Sequence, residues 1–177
     1  MVQVSDSFWR DANHVPITDG GLTVFNSDTL TANNTTANLP IFKITGSVLI
    51  RRLGGVVTTA LSSNVTAVSF RVNDQTAQTY LTVLAGTTAS SIPAGSVIEK
   101  RDLVGVAVDV DTAAAAVFEE ATTAGQPYYQ EFRLTQKTGG VETDIEFKYT
   151  CNNQSSGAIQ FFCTYIPISQ DGSVTAL

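Results

Sequence analysis

Few side chains in this 177-residue chain are equipped for chemistry, and their spacing limits what they can do. There is one histidine, His14. A serine or cysteine nucleophile needs an imidazole beside it as general base, so any Ser-His-Asp or Cys-His site would have to recruit that residue. His14 lies in a stretch with no hydrophobic period and reads as an exposed polar residue. Asp109 and Asp111 are one residue apart. On a strand that spacing puts both carboxylates on one face, where they could help to hold Ca²⁺. Two carboxylates are too few oxygens for such a site, and a strand end meeting solvent explains them as well. Glu142, Asp144 and Glu146 repeat the spacing as a negative stripe. The stripe reads as a wet face, as salt bridging to a basic neighbour, or as an edge-strand guard against runaway pairing. Cys151 and Cys163 flank a polar turn. A hairpin centred there pairs Cys151 near Ala158, which leaves two free and mostly buried thiols. With one histidine, the two cysteines fall short of a zinc site. Zincin spacing, a phosphate-cradling glycine loop and a dinucleotide fingerprint are all missing. An acid pair for glycoside hydrolysis would have to come from 16 Asp and Glu, and nothing marks one. No catalytic residue, metal or cofactor is expected.

The elements that carry these residues read as strands. From Val141 to Tyr149 every odd position is apolar or Thr and every even one is charged, the period of a strand with one face buried. The same pattern runs from Val65 to Val72, with Thr66, Val68, Phe70 and Val72 on one face, and again from Gln78 to Ala85. Leu103 to Val110 places Val104, Val106, Val108 and Val110 together. Leu22 to Phe25 reads as a short strand and residues 26–38 as a Thr/Asn-rich loop. Leu39 to Leu53 is long and apolar, continuing through 56–59. Its Gly46-Ser47 marks a bulge or a bend that carries one chain past two neighbours. Ser90 to Gly95 is a turn leading to Val97-Ile98. Tyr128 to Leu134 reads as a strand, and Lys137 to Gly140 as its hairpin turn into the final pair. Residues 111–124 hold the only plausible helix, with an irregular loop as the alternative. Dense, evenly spaced turn signals point to an all-β antiparallel sandwich or barrel, not to βαβ units. Residues 1–20 read as an extended N-terminal arm and 21–177 as a single β domain. Phe8 and Trp9 in the arm either tuck back on the core or anchor in a partner's pocket.

Composition narrows the function classes. Charged residues are 15% of the chain against about 25% in an average one. The remaining surface is neutral, as in a compact sandwich or in a protein partly covered by other subunits. The net charge of −6 argues against a nucleic-acid footprint. Arg51-Arg52 and Lys100-Arg101, the two basic pairs, read as solvated strand ends. No run is long enough for a membrane span, and the opening residues lack the basic and apolar regions of a secretory signal. Synthesis in the cytosol is therefore expected, and the four Asn-x-Ser/Thr sequons carry no meaning there.

Three segments resemble small virion proteins of tailed bacteriophages. The ending runs Gly157-x-Ile-x-Phe-Phe-x-x-Tyr-x-Pro167-Ile-Ser-x-Asp171-Gly-x-Val174. It is similar to the aromatic-rich last strand, short bend and Asp-Gly turn of that group. Leu39-Pro-Ile-Phe-Lys-Ile-Thr-Gly-Ser-Val-Leu-Ile-Arg51 resembles an early strand of the group, with Ser47 where Asp is usual. Phe8-Trp9-Arg10-Asp11-Ala12-Asn13-x-Val15-Pro16-Ile17 resembles its opening. The resemblance implies a decoration (cement) protein on the outer surface of the phage capsid, with a jelly-roll-like sandwich that forms a homotrimer. It implies the major capsid protein as partner, with Phe8, Trp9, Arg10, Val15, Pro16 and Ile17 as interface residues. The rivals are a head-fibre or host-recognition module, with Tyr128 and Tyr129 as candidate contacts, and a β-scaffold glycan hydrolase.

Overall fold

The computed structural model describes residues 21–84, 89–101, 106–111 and 131–177. Within these residues the protein is built from eleven strands and no helix. They are β1 (Leu22–Thr29), β2 (Thr36–Thr45), β3 (Ser47–Thr59), β4 (Val65–Asn73), β5 (Gln78–Tyr80), β6 (Val97–Glu99), β7 (Asp109–Asp111), β8 (Phe132–Thr135), β9 (Thr143–Cys151), β10 (Ala158–Pro167) and β11 (Ser173–Ala176). Sheet 1 has the order β1-β10-β3-β6-β7, with β8 also on β3; sheet 2 has the order β11-β2-β9-β4-β5. Every pairing between named strands is antiparallel.

The pairs β4/β5, β3/β8, β2/β9 and β1/β10 fall alternately in sheet 2 and sheet 1. The chain thus behaves as one long antiparallel ribbon rolled up so that each successive pair changes sheet. This is the jelly roll, with β6 and β7 inserted between its fifth and sixth strands and β11 added beside β2. The all-β sandwich expected from the turn spacing is the fold observed.

Rolling also explains where sequence reading went astray. Lys137 to Gly140 is not a hairpin turn, because β8 lies in sheet 1 and β9 in sheet 2. Nor do β9 and β10 form a hairpin: the polar turn at 152–157 crosses between sheets, so Cys151 and Cys163 sit in different layers, both free and buried. The loop expected at 26–38 is mostly strand, since β1 runs on to Thr29 and β2 starts at Thr36. Its Thr and Asn side chains suit an exposed sheet face, as in the Thr36–Thr150 hydroxyl pair at 3.0 Å. The strand expected from Gln78 is only three residues long. Val106 and Val108 do not share an environment, one being exposed and the other buried. The expected helix begins where β7 ends, and residues 112–124 lie outside those described.

At Gly46 the bend takes the chain from β2 in one sheet to β3 in the other. Its φ of +59° is left-handed, and a Cβ there would sit 2.5 Å from Ser169 Oγ. Glycine is the residue that tolerates both. The long β3 then serves β8 through Ser47–Ile50 and β6 through Gly54–Val56 along one edge. The Ser169–Gly172 bend closes over this corner: Ile168 and Ser169 N–H donate to Ser47 O, and Ser47 N–H donates to Ser169 Oγ at 2.7 Å. Two of the segments that carry the family resemblance therefore meet at one place.

The core lies between the sheets. Phe161 from sheet 1 meets Phe147 and Phe70 from sheet 2, with ring centroids 5.0 and 6.5 Å away. Such edge and tilted pairs add to the burial of apolar area.

Candidate interaction faces

The inward faces are apolar, so the groups able to meet another molecule lie on the two outward faces. On sheet 2, β9 contributes Asp144, Glu146 and Lys148, Glu142 lies just before it, and neighbouring strands supply the opposing charges. Register places Arg71 of β4 opposite Glu146, and Tyr80 of β5 opposite Arg71. Arg71 Nε donates to Glu146 Oε2 at 2.5 Å, and Arg71 Nη1 donates to Gln78 Oε1 at 2.6 Å. Asn73 Nδ2 donates to Glu146 Oε1 at 2.8 Å, so both carboxylate oxygens are satisfied. Arg71 and Glu146 are only 3% and 4% exposed. Lys43 of β2 pairs with Glu142 at 2.6 Å. Lys148 lies over the Tyr80 ring, and its ammonium donates to the phenol oxygen, which lowers the phenol's pKa.

Asp144 is left out of this arrangement. It is 7% exposed, and its Oδ1 has no hydrogen-bond partner. Lys43, opposite it in register, is already bound to Glu142. Burial, then the charge of Glu142, push its carboxyl above the ordinary range. The stripe expected to be a wet face or an edge guard is therefore neither. β9 is an interior strand between β2 and β4, and two of the three carboxylates are buried. Salt bridging to basic neighbours is what the stripe does.

The outward face of sheet 1 is different in kind. Across β1, β10 and β3, register aligns Thr23, Thr164 and Arg52 in one row, and Phe25, Phe162 and Gly54 in the next. Phe25 is 58% exposed. The Arg52 guanidinium lies 5.5 Å from the Phe162 ring centroid, and its Nη2 donates to Glu99 Oε1 at 2.7 Å. At Gly54 a Cβ would come within 2.8 Å of the Phe162 ring, so a side chain there would displace it. Arg51 binds Glu131 at 2.7 Å, and the Lys100 ammonium lies buried 4.8 Å from the Phe132 ring. Arg51-Arg52 thus lies within β3, and Lys100-Arg101 follows the end of β6 with little exposure, so neither pair is the solvated strand end expected.

Of the residues singled out in the sequence, Phe8, Trp9, Arg10, His14, Val15, Pro16, Ile17, Tyr128 and Tyr129 lie outside those described. Asp109 and Asp111 fall on β7, opposite Glu99 and Val97. Among the described residues, no group of three or more His, Cys, Asp or Glu is gathered in a way that could hold a metal ion. Burial pushes the Cys163 thiol up to about 12, which suppresses the reactive thiolate. Phe25 and Phe162 were not singled out by sequence reasoning. The signal was present in the alternation of β10, where Phe161 and Phe162 are consecutive and must face opposite ways. No protein-family model, curated protein or solved structure matches this chain.

Proposed function

We propose that this chain is a structural protein of a tailed-phage virion, a decoration protein that binds the outer surface of the capsid and bridges neighbouring capsomers. The observation that carries this reading is the β1–β10 strip of the outward face of sheet 1, whose outward residues are uncharged and include Phe25 and Phe162, with the half-exposed Arg52 of β3 beside it. Aromatic and arginine side chains are the groups that dominate protein interfaces. The interface residues implied by the resemblance, Phe8 to Ile17, come shortly before β1 in the sequence. Jelly rolls serve viral capsids among other roles, which supports the reading only as analogy. Many copies, each adding contacts across capsomer boundaries, would together resist the pressure of packaged DNA.

Sedimentation of the purified protein with expanded phage heads that lack it tests the proposal. Saturable co-sedimentation at a fixed copy number is expected, and a form lacking residues 1–18 should bind poorly. A stable protein that never co-sediments would overturn the reading. That outcome favours the second reading, a host-recognition module. Tyr80 supports this alternative as a 37% exposed ring on the outward face of sheet 2, in a fold also used by lectins.

A further inference from the structure

A strand at the end of a sheet presents unpaired N–H and C=O groups, and natural proteins usually blunt such an edge. In this protein most edges are blunted. β5 and β7 are three residues long, and β7 carries Asp109 and Asp111. β11 has only four residues. β1 is the exception: eight residues paired to β10 without a bulge, with no proline or lysine.

The hydrogen-bond phase of β1 follows from its end. Leu30 N–H donates to Gly157 O, so the even-numbered residues of this segment turn their backbone groups toward β10. The odd-numbered residues, Thr23, Phe25, Ser27 and Thr29, turn theirs away from the sheet. Thr29 N–H is taken by Asp28 Oδ1 at 2.6 Å, which closes the edge at that end. Thr23, Phe25 and Ser27 have no backbone partner on the free side among the described residues.

We propose that this edge pairs with the same edge of a second copy of the chain, antiparallel about a twofold axis at Phe25. In that register Phe25 exchanges both backbone bonds with Phe25 of the second copy, and Thr23 does so with Ser27. Every outward group between the ends is then satisfied by an identical strand, which is the requirement of an isologous contact. Asp28, the only charge in β1, falls opposite Leu22, so no like charges meet. This matters for a chain of net charge −6, which repels its own copies except across neutral surface. The two exposed Phe25 rings become cross-strand neighbours, and the outward faces of both copies of sheet 1 join into one. The contact is independent of the capsid role, and a twofold pair differs from the threefold ring that the resemblance implies.

Sedimentation of the full chain, combined with residue-resolved amide exchange, tests it. A dimer is expected in which the Thr23, Phe25 and Ser27 amides are as protected as those of Val24 and Asn26. Ser27→Pro removes an outward N–H without touching the β10 ladder, and Phe25→Lys opposes two charges at the axis. Each should give a folded monomer at concentrations where the wild type is dimeric. A monomeric wild type overturns the proposal, as does an oligomer of any size whose Thr23, Phe25 and Ser27 amides exchange freely. Protection of those amides in a monomer also overturns it, because the edge is then covered by the chain's own residues.

Discussion

The two outward faces of the sandwich are built from the same kind of strand and do opposite things with their polar groups. On sheet 2 the charges are spent inward: Arg71, Glu146, Asn73 and Gln78 bind one another, and the central pair is almost wholly buried. On sheet 1 the β1–β10 strip of the outward face carries no charge, and Phe25 and Phe162 are register partners across it. A face whose polar groups satisfy each other has little left to offer a partner. A neutral face with an exposed ring gains by being covered. On the function proposed above, the difference gives stability to one face and interaction to the other.

Three substitutions on or beside β9 sharpen that assignment, taken from the largest effect. Phe147→Asp places an unpaired charge among Phe70, Phe161 and Tyr149, on the side of β9 away from Glu146. No folded protein should be obtained, as read by circular dichroism. A soluble, cooperatively folded product would mean that the strand's faces are reversed. Arg71→Ala strands Glu146 in a buried position and should cost about 3–5 kcal/mol in urea denaturation. Replacing both partners with apolar residues of similar volume should recover most of the loss. If the single variant is as stable as the wild type, sheet 2 is not held by its ion pairs and the contrast between the faces fails.

The third effect is the smallest and depends on pH. Because the Asp144 carboxyl is raised in the fold, the folded protein keeps a proton that the unfolded chain has already released. Its contribution is fully present in acid and is lost as pH rises through the folded pKa. Asp144→Asn should therefore leave stability unchanged at the lowest pH and add at most about 1 kcal/mol near neutrality. The reading is thermal denaturation of both proteins across that range. A variant less stable than wild type at pH 7 would show that the ionised carboxylate has a favourable partner.

Much of the core was legible from alternation alone. Phe147 and Ile145 on β9, and Phe161 and Cys163 on β10, are at the positions where period two puts them inside. The outward charges were legible as charges but not as buried ones. A side chain that faces away from the core takes its exposure from what lies beside it, and the sequence of β9 does not say that Arg71 is its neighbour. For the same reason Phe25 could not be separated from a core residue: its exposure follows from β1 lying at the end of sheet 1.

Local sequence thus determined long strands such as β9, which of their residues turn inward, and that Gly46 marks a bulge or a bend. Those properties depend on the two-residue repeat of the pleat and on backbone angles, which neighbouring residues settle among themselves. Only the tertiary structure decided which strands pair. A short polar turn reads the same whether it returns along the same sheet or crosses about 10 Å to the facing one. That choice is made by burying Phe70, Phe147 and Phe161 together, contacts between residues far apart in the chain. From it follow the rolled topology, the interior place of β9 and the free edge of β1.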